Sequence, residues 1–296
     1  MKKMLTLSLL AVAALLGISQ TDIAEQLYSS DASEPAVYSS TGDSNARKAE
    51  TEKQKNRKNH PRRKIKTARL EEPAFLTDRP EEVVWHTAYT VSFNRKHKLP
   101  NWVAWVLTKE RTEGQEPRCD DFQPDPDIRK GKTAEDGDYR NSGFDRGHIC
   151  PAADNKADAQ TMKECFYLSN ICPQLRSLNG GDWKELEEKS RKWARRYGCI
   201  YIAGGPILKE GKHRTIGDNR VTVPDGFFKV ILRITDKGEA KAIGFIYPHE
   251  KCNRPMQDYA VSVDEVERQT GIDFFCRLPK DVEKKAEAEC NFNDWK

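Results

Sequence analysis

The run Phe144-Asp145-Arg146-Gly147-His148 is followed after thirty residues by Leu178-Asn179-Gly180-Gly181, and then by Glu187. A histidine, an arginine, an asparagine amide and a carboxylate are the parts that hydrolyse a phosphodiester with one hard metal ion. That reaction needs an activated water, charge neutralisation on the phosphate and help for the departing oxygen. His148 is the candidate base, because an imidazole of ordinary pKa near ~6.5 is largely neutral at working pH. Asn179 could offer its carbonyl oxygen to Mg2+, which prefers oxygen ligands and keeps most of its waters. On a helix unbroken from Asn179, Glu187 would stand about 12 Å further along the axis, at ~1.5 Å per residue. Both could not then ligate one small ion, so Glu187 suits a role through metal-held water. Arg146 lies two residues before His148, on the same side of an extended strand, where a guanidinium can grip the phosphate.

Each residue alone also has a bland reading. A single histidine is more often structural than catalytic, and Asn-Gly-Gly is usually a turn. A glutamate early in a helix is usually solvated, and Asp145 suits pairing with a neighbouring arginine or capping a turn. The joint pattern, in this order and at this spacing, reverses those odds.

The surrounding elements would have to position these groups. Residues 83–85, 89–93 and 101–108 read as strands, the second alternating with a period of two. Residues 120–138 are polar and proline-punctuated and read as a loop, and 143–149 as a strand delivering His148. A helix is predicted over 183–197, with Asp182 and Glu185 as its capping signal and Gly198 at its end. Its apolar stripe is Trp183, Leu186, Trp193, Ala194 and Tyr197. Residues 199–203 read as a buried strand before a break at Gly204-Gly205-Pro206. A meander over 221–223, 227–234 and 240–247 turns at Pro224-Asp225-Gly226 and Asp236-Lys237-Gly238, and a short helix over 264–270 ends at Gly271. Many strands with few long helices predict an α+β class built on a largely antiparallel sheet.

The 296 residues bound the remaining readings. Lys2 and Lys3 precede an apolar run to about Ile18, too short to span a membrane comfortably and laid out like a secretory signal peptide. The expected organisation is a signal over 1–20, a linker over 21–69 and a folded domain over 70–296. The mature protein is expected to be secreted or periplasmic, with no stable membrane association once the signal is removed. All eight cysteines lie between Cys119 and Cys290. In an exported protein that even count suits disulfides, with buried thiols as the alternative, and no spacing suggests zinc. Between Arg47 and Arg69 there are eleven Lys or Arg against two Glu, while the whole chain is only +4. This stretch is expected to be disordered, either a polybasic arm that concentrates nucleic acid or a solubilising spacer. The folded part carries no net positive charge, so phosphate binding there must come from placed residues.

These residues carry a resemblance. The chain resembles the DNA/RNA non-specific endonucleases, the ββα-metal (His-Me finger) nucleases, over 85–279. The motifs are Asp145-Arg146-Gly147-His148 with Pro151-Ala152-Ala153, and Tyr167-Leu168-Ser169-Asn170-Ile171 running through Pro173-Gln174 to Asn179. Asn101-Trp102-Val103-Ala104-Trp105, Gly205-Pro206 and Tyr259-Ala260-Val261-Ser262-Val263 add outlying support. The resemblance implies a ββα-metal fold with a largely antiparallel central sheet flanked by helices. It implies His148 as general base, Asn179 as the sole protein ligand of Mg2+ (Mn2+ as the alternative ion) and Glu187 acting through metal-bound water. It implies Arg146 as phosphate support, Asn170 as an orienting or substrate-contacting residue and, by looser alignment, Arg118 as a further site arginine. The implied partners are DNA and RNA, and no oligomeric state is assigned. Cys150 and Cys172 depart from the pattern and could bridge to each other or to Cys165, or stay thiols. Two further readings are a non-catalytic nucleic-acid-binding protein working through its basic arm, and a more selective phosphodiesterase or toxin, which would require an inhibitor protein.

Overall fold

The computed structural model describes residues 68–129, 131 and 133–296. The signal-like start and all but the end of the basic stretch therefore lie outside the described residues.

Seven strands form one antiparallel sheet. They are β1 (Glu82–Trp85), β2 (Thr90–Asn94), β3 (Leu99–Thr108), β6 (Cys199–Ile207), β9 (Gly226–Ile234), β10 (Ala240–Pro248) and β11 (Ala260–Val261), paired in that order.

 Two further pairs stand apart from it: β4 (Asp145–His148) with β5 (Ile171–Gln174), and β7 (Thr215–Ile216) with β8 (Val221–Thr222). The helices are α1 (Ala159–Glu164), α2 (Arg176–Asn179), α3 (Asp182–Tyr197), α4 (Val263–Thr270) and α5 (Lys280–Ala288).

The sheet is covered on both faces, and alternation along β3 shows it. Val103 and Trp105 join one core with Trp183, Leu186, Trp193 and Ala194 of α3. Trp102 and Ala104 join the other with Val263 and Val266 of α4 and Ala286 of α5. Each large apolar side chain buried this way contributes roughly 1.5–3 kcal/mol, so these two layers hold the helices in place. Helix α3 begins one residue earlier than its capping signal implied: Gly181 is the N-cap, and Asp182 is the first helical residue. Gly198 ends it with φ +81, the left-handed region where a Cβ is costly.

Three expectations need correction. The Gly204-Gly205-Pro206 break is instead part of β6, which runs on to Ile207. A Cβ on Gly205 would lie 2.6 Å from the Asn101 carbonyl oxygen, so this glycine permits close strand approach instead of ending the strand. Pro206 is paired with Phe227 on one side only, past the end of the β3 pairing, which accommodates its missing N–H. The second correction concerns β5, α1 and α5, which were not expected. Pro173 disguises β5, a strand that survives because its sheet has only two strands. The third is that all eight cysteines are free thiols. Burial pushes Cys150 up to about 12 and raises Cys165 and Cys172 well above the ordinary thiol value, so these three are inert packing groups.

Candidate active site

Strand β4 pairs with β5 so that His148 faces Ile171 and Gly147 faces Cys172. A Cβ on Gly147 would lie 2.2 Å from Gln174 Oε1, so only glycine fits between Arg146 and His148. The chain then forms α2, which ends on Asn179, breaks at Gly180-Gly181 and continues as α3 with Glu187 in its second turn. Trp183 Nε1 donates to the His148 carbonyl oxygen at 3.3 Å and ties α3 to the end of β4. Two strands and two successive helices thus present the histidine, the asparagine and the glutamate.

Asn179 Nδ2 donates to Asp145 Oδ2 at 3.1 Å, and Arg176 Nε donates to Asp145 Oδ1 at 3.4 Å. Asp145 therefore pairs with an arginine, and it also fixes the Asn179 amide so that Oδ1 is the atom left to accept. Arg146 and His148 do share one side of β4. The Phe122 ring lies 4.3 Å from the Arg146 guanidinium carbon and 5.5 Å from the His148 ring centroid. Arg146 is ion-paired to Asp136, and Arg118 to Asp120 at 2.5 Å. Arg118 also stacks over Phe166 at 4.9 Å, and Phe166 meets the His148 ring edge-on at 4.8 Å. A cleft of about 380 Å3 opens beside them, lined by Arg118, Asp120, Phe122, Asp136, Arg146 and Asn179 among others.

His148 is only 8% exposed, and its Nε2 is buried without a hydrogen-bond partner. Burial first, then the positive charges of Arg118 and Arg146, push its pKa from 6.5 down to about 3, against the opposing pull of Asp120. The ring is therefore neutral, as a base must be, although further from its ordinary value than the sequence suggested. Glu187 does not line the cleft, and burial raises its carboxyl while Lys229 opposes the rise. Asn170 is fully buried and does not face the cleft. Its Oδ1 accepts from the Cys150 N–H at 2.9 Å, and its Nδ2 donates to the Cys150 and Cys165 carbonyls at 2.9 and 2.8 Å. The cleft thus gathers Arg118, Arg146 and Asn179, with His148 against Phe122, while Glu187 and Asn170 do not line it.

Sequence reasoning missed a buried polar cluster behind the site. Lys229 is fully buried, with its Nζ lacking a hydrogen-bond partner and lying 4.5 Å from the Trp183 ring and 5.3 Å from that of Trp105. Burial lowers its pKa, while Glu187 and Asp154 oppose that. Asp154 accepts from Arg191 at 3.0 Å and from Trp105 Nε1 at 3.1 Å. Two signals were present: a lysine inside the apolar run Phe227-Phe228-Lys229-Val230-Ile231, and an aspartate directly after Pro151-Ala152-Ala153.

A histidine-ended strand, its partner strand and an asparagine-bearing helix over an antiparallel sheet define the ββα-metal class of α+β fold. Residues 66–281 match the family model described as DNA/RNA non-specific endonuclease, and the chain belongs to that family. It is 36% identical over 220 residues to the zebrafish (Danio rerio) protein called Nuclease EXOG, mitochondrial, covering 69% of this chain and 64% of that one. It is 32% identical over 199 residues to human Endonuclease G, mitochondrial, covering 63% and 67%. Nuclease 1, mitochondrial, of Schizosaccharomyces pombe is 34% identical over 226 residues, covering 69% and 70%. The chain spans 57–64% of the length of the EXOG relatives it matches. A solved complex of EndoG with EndoGI, described in terms of EndoG inhibition, is similar with a TM-score of 0.66 and 28% identity, covering 72% of this chain and 91% of that one.

These relatives correct the expected location. The EXOG, Endonuclease G and Nuclease 1 proteins are each named mitochondrial, which points away from a secreted or periplasmic protein. A basic start and an apolar run encode charge and length, whereas the address is read by a receptor and is not fixed by those two properties. Among the described residues no helix is long and apolar enough to cross a membrane.

Proposed function

We propose that this chain is a metal-dependent endonuclease that hydrolyses phosphodiester bonds in DNA and RNA with little sequence preference. The observation that carries this reading is a neutral His148, its buried Nε2 unpartnered, on the same face of β4 as Arg146. A metal suits the donor set: Asp145 holds the Asn179 amide nitrogen and leaves a carbonyl oxygen as a hard ligand. Mg2+ is the proposed ion, with Mn2+ as the alternative; when bound it supplies charge stabilisation to the phosphate and the leaving oxygen.

The chain's own residues divide the remaining work. His148 Nε2 accepts the proton of the attacking water. Arg146 and Arg118 take the phosphate, exchanging the carboxylates of Asp136 and Asp120 for phosphate oxygens. Phe122 rests on both Arg146 and His148, so that exchange also shifts the ring covering the base. Glu187 assists from behind by orienting water, and Asn170 positions Cys150 and thereby the end of β4. Nucleic acid is the proposed partner, and an inhibitor protein like that of the related EndoG complex is a second.

Purified full-length chain incubated with supercoiled plasmid and with structured RNA tests this reading. Digestion of both in Mg2+, abolished by EDTA, is the expected result. A folded protein that binds both substrates and cuts neither contradicts it.

A further inference from the structure

On the sheet face opposite α3, helices α4 and α5 bring together Asp264, Glu267 and Glu287. One oxygen from each lies within 4.8 Å of the others. Glu287 is only 4% exposed, and its Oε1 is buried without a hydrogen-bond partner. One turn earlier on α5, Glu283 is 5% exposed and its Oε2 is likewise unpartnered, while its Oε1 accepts from Lys280 at 2.7 Å.

We infer that Asp264, Glu267 and Glu287 form a second divalent-cation site, taking Ca2+, which clamps α5 to α4 away from the catalytic cleft. Two oxygens on opposite sides of a Ca2+ ion stand about 4.8 Å apart at ~2.4 Å each, which the cluster accommodates. Three carboxylates are the hard oxygen donors such an ion selects. Asp264 is exposed, so water can complete the shell from outside, and Glu267 is half-buried between them. Glu267 Oε1 is already held by the Phe274 N–H at 2.8 Å, which fixes the side chain in place.

The charge balance supports a cation. The charged groups acting most strongly on Glu287 are Glu267, Glu283, Asp273 and Asp264, all carboxylates. A cation among them would offset that repulsion and draw all three oxygens together.

The test uses Ca2+ as the probe on full-length chain carrying Asn179→Ala, so that the proposed catalytic metal does not contribute. Thermal unfolding is followed in EDTA and then in Ca2+, with calorimetric titration for stoichiometry. We expect one Ca2+ bound, and Tm raised by about 5–10 °C when Ca2+ exceeds its dissociation constant roughly a hundredfold. Glu287→Gln on that background should lose both effects, and Glu267→Gln should weaken them, while each melts in EDTA no lower than its parent. No Ca2+ shift in the parent overturns the site, since the carboxylates then carry protons only. An undiminished shift in both variants overturns it too, because the ion then sits elsewhere. The nuclease reading stands or falls separately, because no measurement here reads cleavage.

Discussion

Asp145 and Asn179 are joined side chain to side chain, with Nδ2 donating to Oδ2 at 3.1 Å. The first residue of β4 thus sets the orientation of the proposed metal ligand, while the last residue of the same strand is the proposed base. Loss of such an orienting partner typically costs ~10–100-fold in metal affinity. Asp145→Ala should therefore raise the Mg2+ concentration for half-maximal cleavage by about that factor, with the maximal rate less affected. An unchanged Mg2+ titration would show that Asn179 is oriented by something else.

His148 makes a prediction about stability and acid. The unfolded chain takes up this proton near the ordinary value of 6.5, but the folded ring resists until about 3. Its contribution is fully present above 6.5 and is lost as pH falls towards 3, at ~1.4 kcal/mol per pH unit. Denaturant unfolding in EDTA from roughly pH 6 to pH 4 should show a shallower slope for His148→Gln than for the wild type, by about one proton. Parallel slopes would mean that the ring titrates normally in the fold.

Asn170 makes three hydrogen bonds to buried backbone, at both groups of Cys150 and at the Cys165 carbonyl. Asn170→Ala strands those groups and should cost about 3 kcal/mol in urea unfolding. A variant of wild-type stability that has lost cleavage would instead give Asn170 a direct part in the chemistry.

Lys229 is the cation that most strongly lowers the Glu187 carboxyl. Lys229→Met keeps much of the volume between Trp105 and Trp183 while removing the charge. Cleavage at neutral pH should fall at least about tenfold, because a desolvated carboxyl without its cation favours the protonated form. Wild-type cleavage by a folded Lys229→Met protein would leave this lysine a packing role only.

The frame of the site was legible where local pattern and tertiary packing agree. The stripe Trp183, Leu186, Trp193 and Ala194 is buried as read, and β4 does deliver His148 with Arg146 on one side. Two kinds of feature were hidden. Pro173 hid β5, because the tolerance of proline depends on how many neighbours a strand has, which is not local information. The covering of His148 by Phe122 and Phe166, and of Lys229 by two indoles, joins residues far apart in the chain. Those long-range contacts set the electrostatics, so the place of the histidine was legible while its pKa was not.

The most direct test of the account is plasmid cleavage in Mg2+ by His148→Ala, compared with wild type at equal concentration and matched folded content. The account predicts loss of cleavage by at least about a hundredfold, the lower end of what a positioned general base contributes. Cleavage by the folded variant at close to the wild-type rate would contradict it and remove His148 from the reaction.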